Sequence, residues 1–350
     1  MRKLACAAVL AWVGCTGAWA MPSGKAEADW AIVIHGGAGV IERGALDSAT
    51  EAQIRAALEA ALRRGSEILA GGGAALDAVE ATIKILEDDP NFNAGRGAVF
   101  TADGKNELDA SIMDGQNRTA GAVAGVTRLR HPISAARAVM EKSPHVMLAG
   151  AGAEAFAVQN GLETVDPSFF FTERRWAGLV RELAARGAPI PPRPAGAPGA
   201  TEVSGRDLER KFGTVGVAAR DASGNLAAGT STGGTTAKRW GRLGDSPVIG
   251  AGTYAQNGVC AVSATGTGEY FIRAAVAKSI CARIELKHER PARAADAIVQ
   301  KDLPALGGDG GVIVMGARGE GIWSFNTPGM YRARASAKSG PEIAIYQDER

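Results

Sequence analysis

The amino-acid sequence predicts an α+β fold built in layers, because helical and strand-like segments follow one another without a regular βα repeat. Apolar residues recur at helical spacing over long parts of the first half. The second half opens with two strand-like runs that a short Gly-containing turn connects. A doubly wound parallel sheet would require strands and helices to alternate along the whole chain, so that fold is disfavoured.

The first half is predicted to contain one buried strand and five helices. The strand covers residues 31–34, a short apolar run that ends in glycines. A capping-box motif at residues 48–51 (SATE) begins the first helix, and Ser134 is expected to cap the third. The helices are predicted over residues 48–70, 75–87, 135–142, 154–159 and 175–186.

The second half is predicted to contain four strands and one continuous helix. Two of the strands form a hairpin around a turn, and the helix follows a loop rich in Thr and Gly. The strands are predicted over residues 214–220, 225–231, 311–315 and 321–325, and the helix over residues 269–286.

The N-terminus has the pattern of a cleaved export signal. Two basic residues precede an apolar stretch over residues 4–17, and Ala-Trp-Ala at 18–20 resembles a cleavage site. The stretch is too short to span a bilayer, and the Trp-Val that precedes Gly14 disfavours a lipoprotein site at Cys15. We therefore expect residues 1–20 to be a signal peptide and the protein to be exported, soluble and periplasmic.

Loss of this segment would change the composition of the mature protein. It removes two of the four cysteines, and the remaining Cys260 and Cys281 are too few for a disulfide scaffold. It also removes two of the 39 basic residues and none of the 37 acidic ones, so the charges balance. We therefore expect neither a nucleic-acid nor a membrane partner. The four histidines form no zinc-binding motif, which argues against a catalytic metal.

Residues 187–205 are so rich in proline and glycine that they cannot form a helix or a central strand. This exposed linker lies shortly before Gly213 and Thr214, and a strand-like run follows Thr214. If the Gly213–Thr214 bond breaks, Thr214 holds both a hydroxyl nucleophile and a free α-amine general base, whose ordinary pKa is about 7.7–8.0. Glycine at position 213 is expected because it can adopt backbone angles that crowd other residues.

This junction stands within an ordered set of short motifs. The motifs are HGGAG at 35–39, FNAG at 92–95, ELDA at 107–110, MDG at 113–115, SPHV at 143–146, GTSTGG at 229–234, GRLGDSP at 241–247 and ATGTGE at 264–269. Each string is weak alone, but the ordered set resembles the plant-type isoaspartyl peptidase/L-asparaginase family of N-terminal-nucleophile hydrolases. The resemblance runs from about residue 30 to about residue 332.

The resemblance implies a fold, a maturation step and an activity. The implied fold is the four-layer αββα sandwich of that family. Self-cleavage between Gly213 and Thr214 would separate an α subunit, residues 21–213, from a β subunit, residues 214–350. The two subunits would remain one folded unit, and two such units would form a homodimer. The substrate would be a small molecule with a β-aspartyl amide bond, either an isoaspartyl dipeptide or L-asparagine.

The same resemblance assigns the catalytic residues. Thr214 is the nucleophile, and Thr232 orients its hydroxyl or amine. Thr265, through its hydroxyl, and Gly266, through its N–H, form the oxyanion hole. The His-Gly-Gly run at 35–37 is expected to be a tight floor under the site, with a structural rather than a catalytic histidine.

Substrate recognition is assigned to five residues. Arg242 offers a planar fork to the α-carboxylate, and Asp245 accepts from the α-ammonium group. Gly268 would add an N–H to the carboxylate, Gly266 also contacts the substrate, and Asn93 helps to hold the site. The family implies no cofactor for catalysis but a structural sodium ion, whose ligands would be the backbone carbonyls of Leu86, Glu87, Asp89, Phe92, Ala94 and Arg96.

Three other functions are compatible with parts of the sequence. A glycosylasparaginase-like amidase is disfavoured, because the Thr-Gly loops of that branch have different sequences. A serine esterase would use the G-x-S-x-G match at 229–233, but no helix is predicted directly after it. A periplasmic amino-acid-binding protein could use Arg242 and Asp245 as a clamp, yet it offers no reason for the Gly213–Thr214 junction. The preference between L-asparagine and β-aspartyl dipeptides stays open.

Overall fold

The computed structural model describes residues 29–39, 41–44, 46–199 and 213–349. Within these ranges the strands are β1 Ala31–Gly39, β2 Leu108–Asp114, β3 Ala120–Val126, β4 Met147–Ala149, β5 Val215–Arg220, β6 Leu226–Thr232, β7 Thr253–Gln256, β8 Cys260–Gly266, β9 Gly310–Gly316, β10 Ile322–Phe325, β11 Gly329–Ser336 and β12 Glu342–Tyr346. The helices are α1 Ser48–Ala70, α2 Ala75–Asp88, α3 Pro132–Lys142, α4 Gly150–Gln159, α5 Glu173–Ala185, α6 Gly268–Ala274, α7 Val276–Lys287, α8 Pro291–Ala297 and α9 Leu303–Ala305.

The strands form two sheets. The larger has eight strands in the order β12-β11-β1-β5-β6-β2-β3-β4, and the smaller has four in the order β10-β9-β8-β7. Neighbouring strands are antiparallel except for β3 and β4, which are parallel. The α+β class is therefore confirmed.

Side chains of the central strands alternate between two cores, because successive residues of a strand point to opposite faces. In β1, Ile32 and Ile34 pack with residues of α1 and α2. Their neighbours Ala31 and Val33 belong to a second core, which also contains residues of β8, β9, α7 and α8. The larger sheet thus has helices on one face and the smaller sheet on the other, and α7 and α8 contact the smaller sheet in turn.

Most predicted elements agree with these bounds to within a few residues. Strands β2, β3, β4, β7 and β8 and helices α8 and α9 were not predicted, and two predicted helix caps are wrong. Asp47 caps α1 in place of Ser48, because its carboxylate accepts the Thr50 N–H at 2.9 Å. Ser134 lies inside α3 and donates instead to Glu80 at 2.5 Å. In both cases a nearby carboxylate is the stronger acceptor for the available donor.

The end of the chain differs from the prediction in two further ways. The helix predicted over 269–286 is broken at Ala275, which has φ 46° and ψ 50°, so α6 ends there and α7 begins. Strands β11 and β12 follow the last predicted strand and extend the larger sheet beside β1. The sequence pattern of β11 is misleading, because Arg332 is fully buried although arginine is usually exposed.

Cys260 of β8 and Cys281 of α7 form a disulfide, with Cα atoms 5.7 Å apart. Counting cysteines excludes a scaffold of several disulfides, and it does not reveal this single bond. Both residues are fully buried in the second core. The bond therefore attaches α7 to the strand that ends at the predicted oxyanion-hole residues.

Two predictions concern residues that lie wholly or partly outside the ranges that the structure describes. The predicted signal peptide, residues 1–20, lies outside the described residues, as does the linker end at 200–205. The described part of the linker, 187–199, contains no helix or strand. In the part of the chain that the structure describes, no helix is long and apolar enough to cross a membrane.

Candidate active site

The β5–β6 hairpin places two threonines side by side. Thr214 precedes β5 and Thr232 ends β6, and these ends meet because Val215 pairs with Ser231. The two threonine hydroxyl oxygens are 2.8 Å apart, and the Thr232 oxygen also accepts the Gly234 N–H at 3.0 Å. Both threonines are buried. The arrangement suits a hydroxyl nucleophile with a partner that orients it.

The carbonyl group before Thr214 is held by Asn93. The Gly213 oxygen accepts the Asn93 N–H at 2.9 Å. The Asn93 side chain holds the surrounding loops, since its Oδ1 accepts the Val99 N–H at 2.9 Å and its Nδ2 donates to the Gly234 carbonyl at 2.7 Å. Gly213 is also in close contact with Asn93. Glycine is needed for close approach, since a Cβ there would lie 2.9 Å from the Asn93 Cβ.

Thr265 and Gly266 form the end of β8. Thr265 lies two residues after Ser263 on the same face of the strand. Ser263 is 2.9 Å from His35 Nε2, and His35 Nδ1 is 3.0 Å from the Thr214 carbonyl oxygen. Thr265 is fully buried, and its hydroxyl has no hydrogen-bond partner among the described residues. A buried donor without a partner is suited to a ligand oxygen.

Arg242 is paired with a carboxylate that is not among the predicted site residues. Arg242 Nε and Nη2 donate to the two carboxylate oxygens of Glu269, each at 2.9 Å. Glu269 lies in the first turn of α6 and is about half exposed, whereas Arg242 is mostly buried. No Arg242–Asp245 ion pair is present among the described residues. The fork geometry expected for a substrate carboxylate is therefore occupied by Glu269.

Asp245 is a buried carboxylate beside this fork. Burial raises its pKa to about 7, although the charge of Arg242 opposes that shift. Its Oδ2 has no hydrogen-bond partner within the described ranges. Gly268 packs against it so closely that a Cβ at that position would lie 2.9 Å from both Asp245 N and Oδ1. A buried carboxylate with one oxygen free of partners is well suited to accept an ammonium group.

Comparison with known proteins agrees with this geometry. A family model described as asparaginase matches residues 28–345. The chain belongs to the asparaginase family. It is 49% identical to the isoaspartyl peptidase of Escherichia coli (strain K12) over 320 residues, 91% of this chain and 96% of that protein. The isoaspartyl peptidase of Salmonella typhimurium is 48% identical (91% and 98% covered), and the isoaspartyl peptidase/L-asparaginase of Rattus norvegicus is 39% identical (89% and 87%).

In this asparaginase-family chain, the serine of the G-x-S-x-G match is not at a nucleophile elbow. Ser231 lies within β6, is fully buried and donates to the Glu87 carboxylate at 2.6 Å. No helix follows β6 directly. A serine esterase requires an exposed serine on a tight turn between a strand and a helix, so this alternative is contradicted.

The loop predicted to bind sodium follows the C-terminus of α2. The last carbonyls of a helix lack intrahelical partners and bear partial negative charge, and the last turn of α2 contains no basic residue. A Cβ at Gly95 would overlap the Glu87 carbonyl oxygen, and one at Gly97 would overlap the Phe92 oxygen. The two glycines thus let main-chain oxygens approach the loop backbone closely beside the end of α2, where free carbonyls attract positive charge. No cluster of metal-binding side chains occurs in the described ranges.

Proposed function

We propose that this protein is a self-cleaving hydrolase of β-aspartyl amide bonds, acting on isoaspartyl dipeptides and on L-asparagine. The observation that supports it best is the arrangement at one peptide bond. The Thr214 hydroxyl has a Thr232 partner at 2.8 Å, while the carbonyl oxygen of the preceding Gly213 accepts an N–H from Asn93. The asparaginase-family model and the isoaspartyl peptidases cited above point to the same activity.

Self-cleavage would use the polarised Gly213 carbonyl. The Thr214 Oγ attacks the Gly213 carbonyl carbon, and the Asn93 N–H stabilises the oxygen anion that forms. The C–N bond then breaks, which leaves an ester and a free Thr214 amine. Water hydrolyses the ester and yields an α subunit that ends at Gly213 and a β subunit that begins at Thr214.

Turnover would repeat this chemistry with the freed amine as general base. The Thr214 amine accepts the hydroxyl proton, and Oγ attacks the β-carbonyl of the substrate. The Thr265 hydroxyl and the Gly266 N–H stabilise the oxyanion, the leaving amine takes the proton, and water then hydrolyses the aspartyl ester. Arg242 binds the α-carboxylate of the substrate, which must either share the Arg242 guanidinium with Glu269 or displace Glu269 from it. Asp245 accepts a hydrogen bond from the α-ammonium group.

The remaining assignments are also proposals. The packing of helices, two sheets and helices supports a four-layer αββα sandwich. The carbonyl-lined loop after α2 supports a structural sodium ion, and we expect catalysis to need no cofactor. A buried disulfide is typical of oxidising compartments and supports export to the periplasm. The homodimer of cleaved units rests on the family resemblance.

Analysis of the purified protein tests the proposal. Denaturing electrophoresis should give two fragments, and N-terminal sequencing of the β fragment should read Thr-Val-Gly-Val. A different first residue would refute cleavage at Thr214. One intact chain that binds amino acids without turnover would favour the binding-protein alternative.

A substrate panel then defines the activity. Release of aspartate from a β-aspartyl dipeptide and from L-asparagine should be detected, and their kcat/KM values set the preference. Turnover of a glycosylated asparagine in preference to both would support the glycosylasparaginase-like alternative instead.

A further inference from the structure

A row of polar side chains is buried between the two sheets. In the larger sheet, His35, Gly216, Thr230 and Ser111 are paired directly across β1, β5, β6 and β2. In the smaller sheet, Thr253 of β7 is paired with Ser263 of β8. We name the five side chains that share this layer, His35, Ser263, Thr230, Thr253 and Ser111, the polar row; all five are fully buried.

The polar row is one continuous chain of hydrogen bonds that crosses repeatedly between the sheets. Its links are Thr214 O to His35 Nδ1 at 3.0 Å, His35 Nε2 to Ser263 Oγ at 2.9 Å, Ser263 Oγ to Thr230 Oγ1 at 2.7 Å, Thr230 Oγ1 to Thr253 Oγ1 at 2.6 Å, Thr253 Oγ1 to Ser111 Oγ at 2.8 Å, and Ser111 Oγ to Ser246 O at 2.6 Å. It begins at the main chain of the candidate nucleophile and ends beside Asp245.

One end of the row determines the direction of its hydrogen bonds. A carbonyl oxygen can only accept, so His35 donates from Nδ1 to the Thr214 oxygen. Burial lowers the pKa of His35 to about 3, so the ring is neutral and Nε2 is an acceptor. Ser263 must then donate to His35. Thr230 has one proton to share between Ser263 and the Gly252 carbonyl at 3.1 Å, so Thr253 donates to Thr230. Ser111 has one proton to share between Thr253 and the Ser246 carbonyl.

The polar row lies directly beneath the candidate catalytic residues. Side chains two residues apart in a strand share a face, so Gly216, Thr230 and Ser263 stand one step from Thr214, Thr232 and Thr265, respectively. A Cβ at Gly216 would overlap both Ser263 Oγ and His35 Nε2. The glycine therefore leaves the space in which these two side chains meet.

Space filling alone does not explain the row. The same core is otherwise built largely from alanine and other small apolar residues, such as Ala218, Ala228 and Ala264, which have no polar atoms to satisfy. Buried hydroxyls are costly unless they are paired, and each hydroxyl of the polar row has at least one hydrogen-bond partner. The two ends of the polar row also reach different parts of the candidate site. One end binds the carbonyl of Thr214, and the other binds the carbonyl of Ser246, next to Asp245.

We propose that the polar row is a positioning network that holds the Thr214 main chain and the Asp245–Ser246 loop in a common frame. This inference rests on the proposed function. At one end, His35 and Ser263 orient the nucleophile. At the other end, Ser111 orients the loop that binds the substrate ammonium group. No residue of the row contacts the reacting atoms.

Three substitutions in the cleaved enzyme separate the two ends. Ser263→Ala should lower kcat for a β-aspartyl dipeptide by roughly tenfold with little change in KM, and it should slow self-cleavage. The reason is that His35, which holds the Thr214 main chain, loses its buried hydrogen bond to Ser263. Ser111→Ala should raise KM by roughly tenfold and leave self-cleavage unchanged. Thr253→Val, in the middle, should impair both, and Thr253→Ser should restore both.

A matched control is available in the helical core. Thr82 is fully buried and its hydroxyl has no partner among the described residues, so Thr82→Val makes the same isosteric change outside the row. It should leave kcat, KM and cleavage unchanged. Thermal melting checks that each variant is folded, and an uncut Ser263→Ala chain that melts like the wild type also supports the proposal.

Two results would overturn it. If Thr253→Val cleaves and turns over like Thr82→Val, the polar row only fills space. If Ser263→Ala and Ser111→Ala change kcat and KM in the same proportion, the row has no separate ends. A wild-type chain that neither cleaves at Thr214 nor hydrolyses β-aspartyl bonds would instead refute the proposed function, which is a distinguishable outcome.

Discussion

The two faces of the eight-stranded sheet have different compositions. The face toward α1, α2 and α3 presents branched side chains such as Ile34, Ile112 and Val217. The face toward the second sheet presents alanines such as Ala218 and Ala228, together with the polar row and Thr232. Large apolar side chains on the first face bury much area and stabilise the fold. Small and hydroxylated side chains on the second let two sheets approach and hold polar groups in place.

The difference between the faces predicts that substitutions on the helix face change stability, whereas those on the inner face change chemistry.

The largest effect on chemistry is expected for Thr214→Ala. The variant should remain one uncut chain with no detectable turnover, because both the nucleophile and its precursor reaction are removed. Its melting temperature should stay close to that of the wild type, as measured by calorimetry beside activity assays. Residual cleavage between residues 213 and 214 would contradict the assignment.

Arg242→Ala should reduce kcat/KM for β-aspartyl substrates by roughly 10- to 100-fold, because charge-assisted hydrogen bonds to the α-carboxylate are lost. Self-cleavage should survive, since it involves no bound zwitterion. Arg283→Ala is the matched control, because Arg283 forms a similar bidentate pair with Glu289 at 2.8 and 3.0 Å. Wild-type turnover by Arg242→Ala would show that the Glu269 ion pair is its sole role.

Asp245 should produce a smaller, pH-dependent effect. Its pKa is raised to about 7, and only the ionised carboxylate can accept from an ammonium group, so kcat/KM should rise with pH through about 7. An unperturbed α-amine has a higher pKa, about 7.7–8.0. In Asp245→Asn, the rise of kcat/KM through about pH 7 should disappear, while any rise at higher pH should remain. Identical profiles for both proteins would exclude Asp245 from substrate binding.

The same carboxyl group should affect stability in the opposite sense. Its folded pKa lies above the ordinary value of 3.8, so its contribution to stability is fully present below about pH 4 and is lost as pH rises through about 7. Asp245→Asn should remove this loss. The free energy of unfolding can be followed from pH 4 to 8 in the uncut Thr214→Ala chain.

The smallest effect on chemistry is expected on the helix face. Ile34→Ala should lower the free energy of unfolding by about 2–5 kcal/mol, because it leaves a cavity in the core between β1 and the helices. Once corrected for the folded fraction, kcat/KM should stay within about twofold of the wild type, as expected for a change that removes no transition-state contact. Denaturant titration and kinetics on the same preparation measure both. A tenfold loss in kcat/KM would mean that the two faces are coupled.

Local features allowed much of this to be predicted from sequence. Helices α1 and α2 have strong 3.6-residue periodicity, and the β5–β6 hairpin has a clear turn, so each formed where expected. The Gly213–Thr214 junction was noticed from its neighbouring residues and assigned from the family resemblance, and it stays a prediction. The breaks in local pattern were missed, namely the left-handed Ala275 and the buried Arg332 of β11, because tertiary contacts override local preference there.

By itself, the sequence determined the α+β class and the order of the motifs, because these depend on periodicity and on residues close together in the chain. The candidate nucleophile was assigned from the resemblance of that ordered set to a family. Only the tertiary structure decided which groups meet. It pairs Arg242 with Glu269, lets the Asn93 N–H donate to the Gly213 carbonyl, and assembles the polar row between the sheets. These contacts join segments far apart in sequence. They depend on strand register, and a shift of one residue would turn every inward side chain to the opposite face.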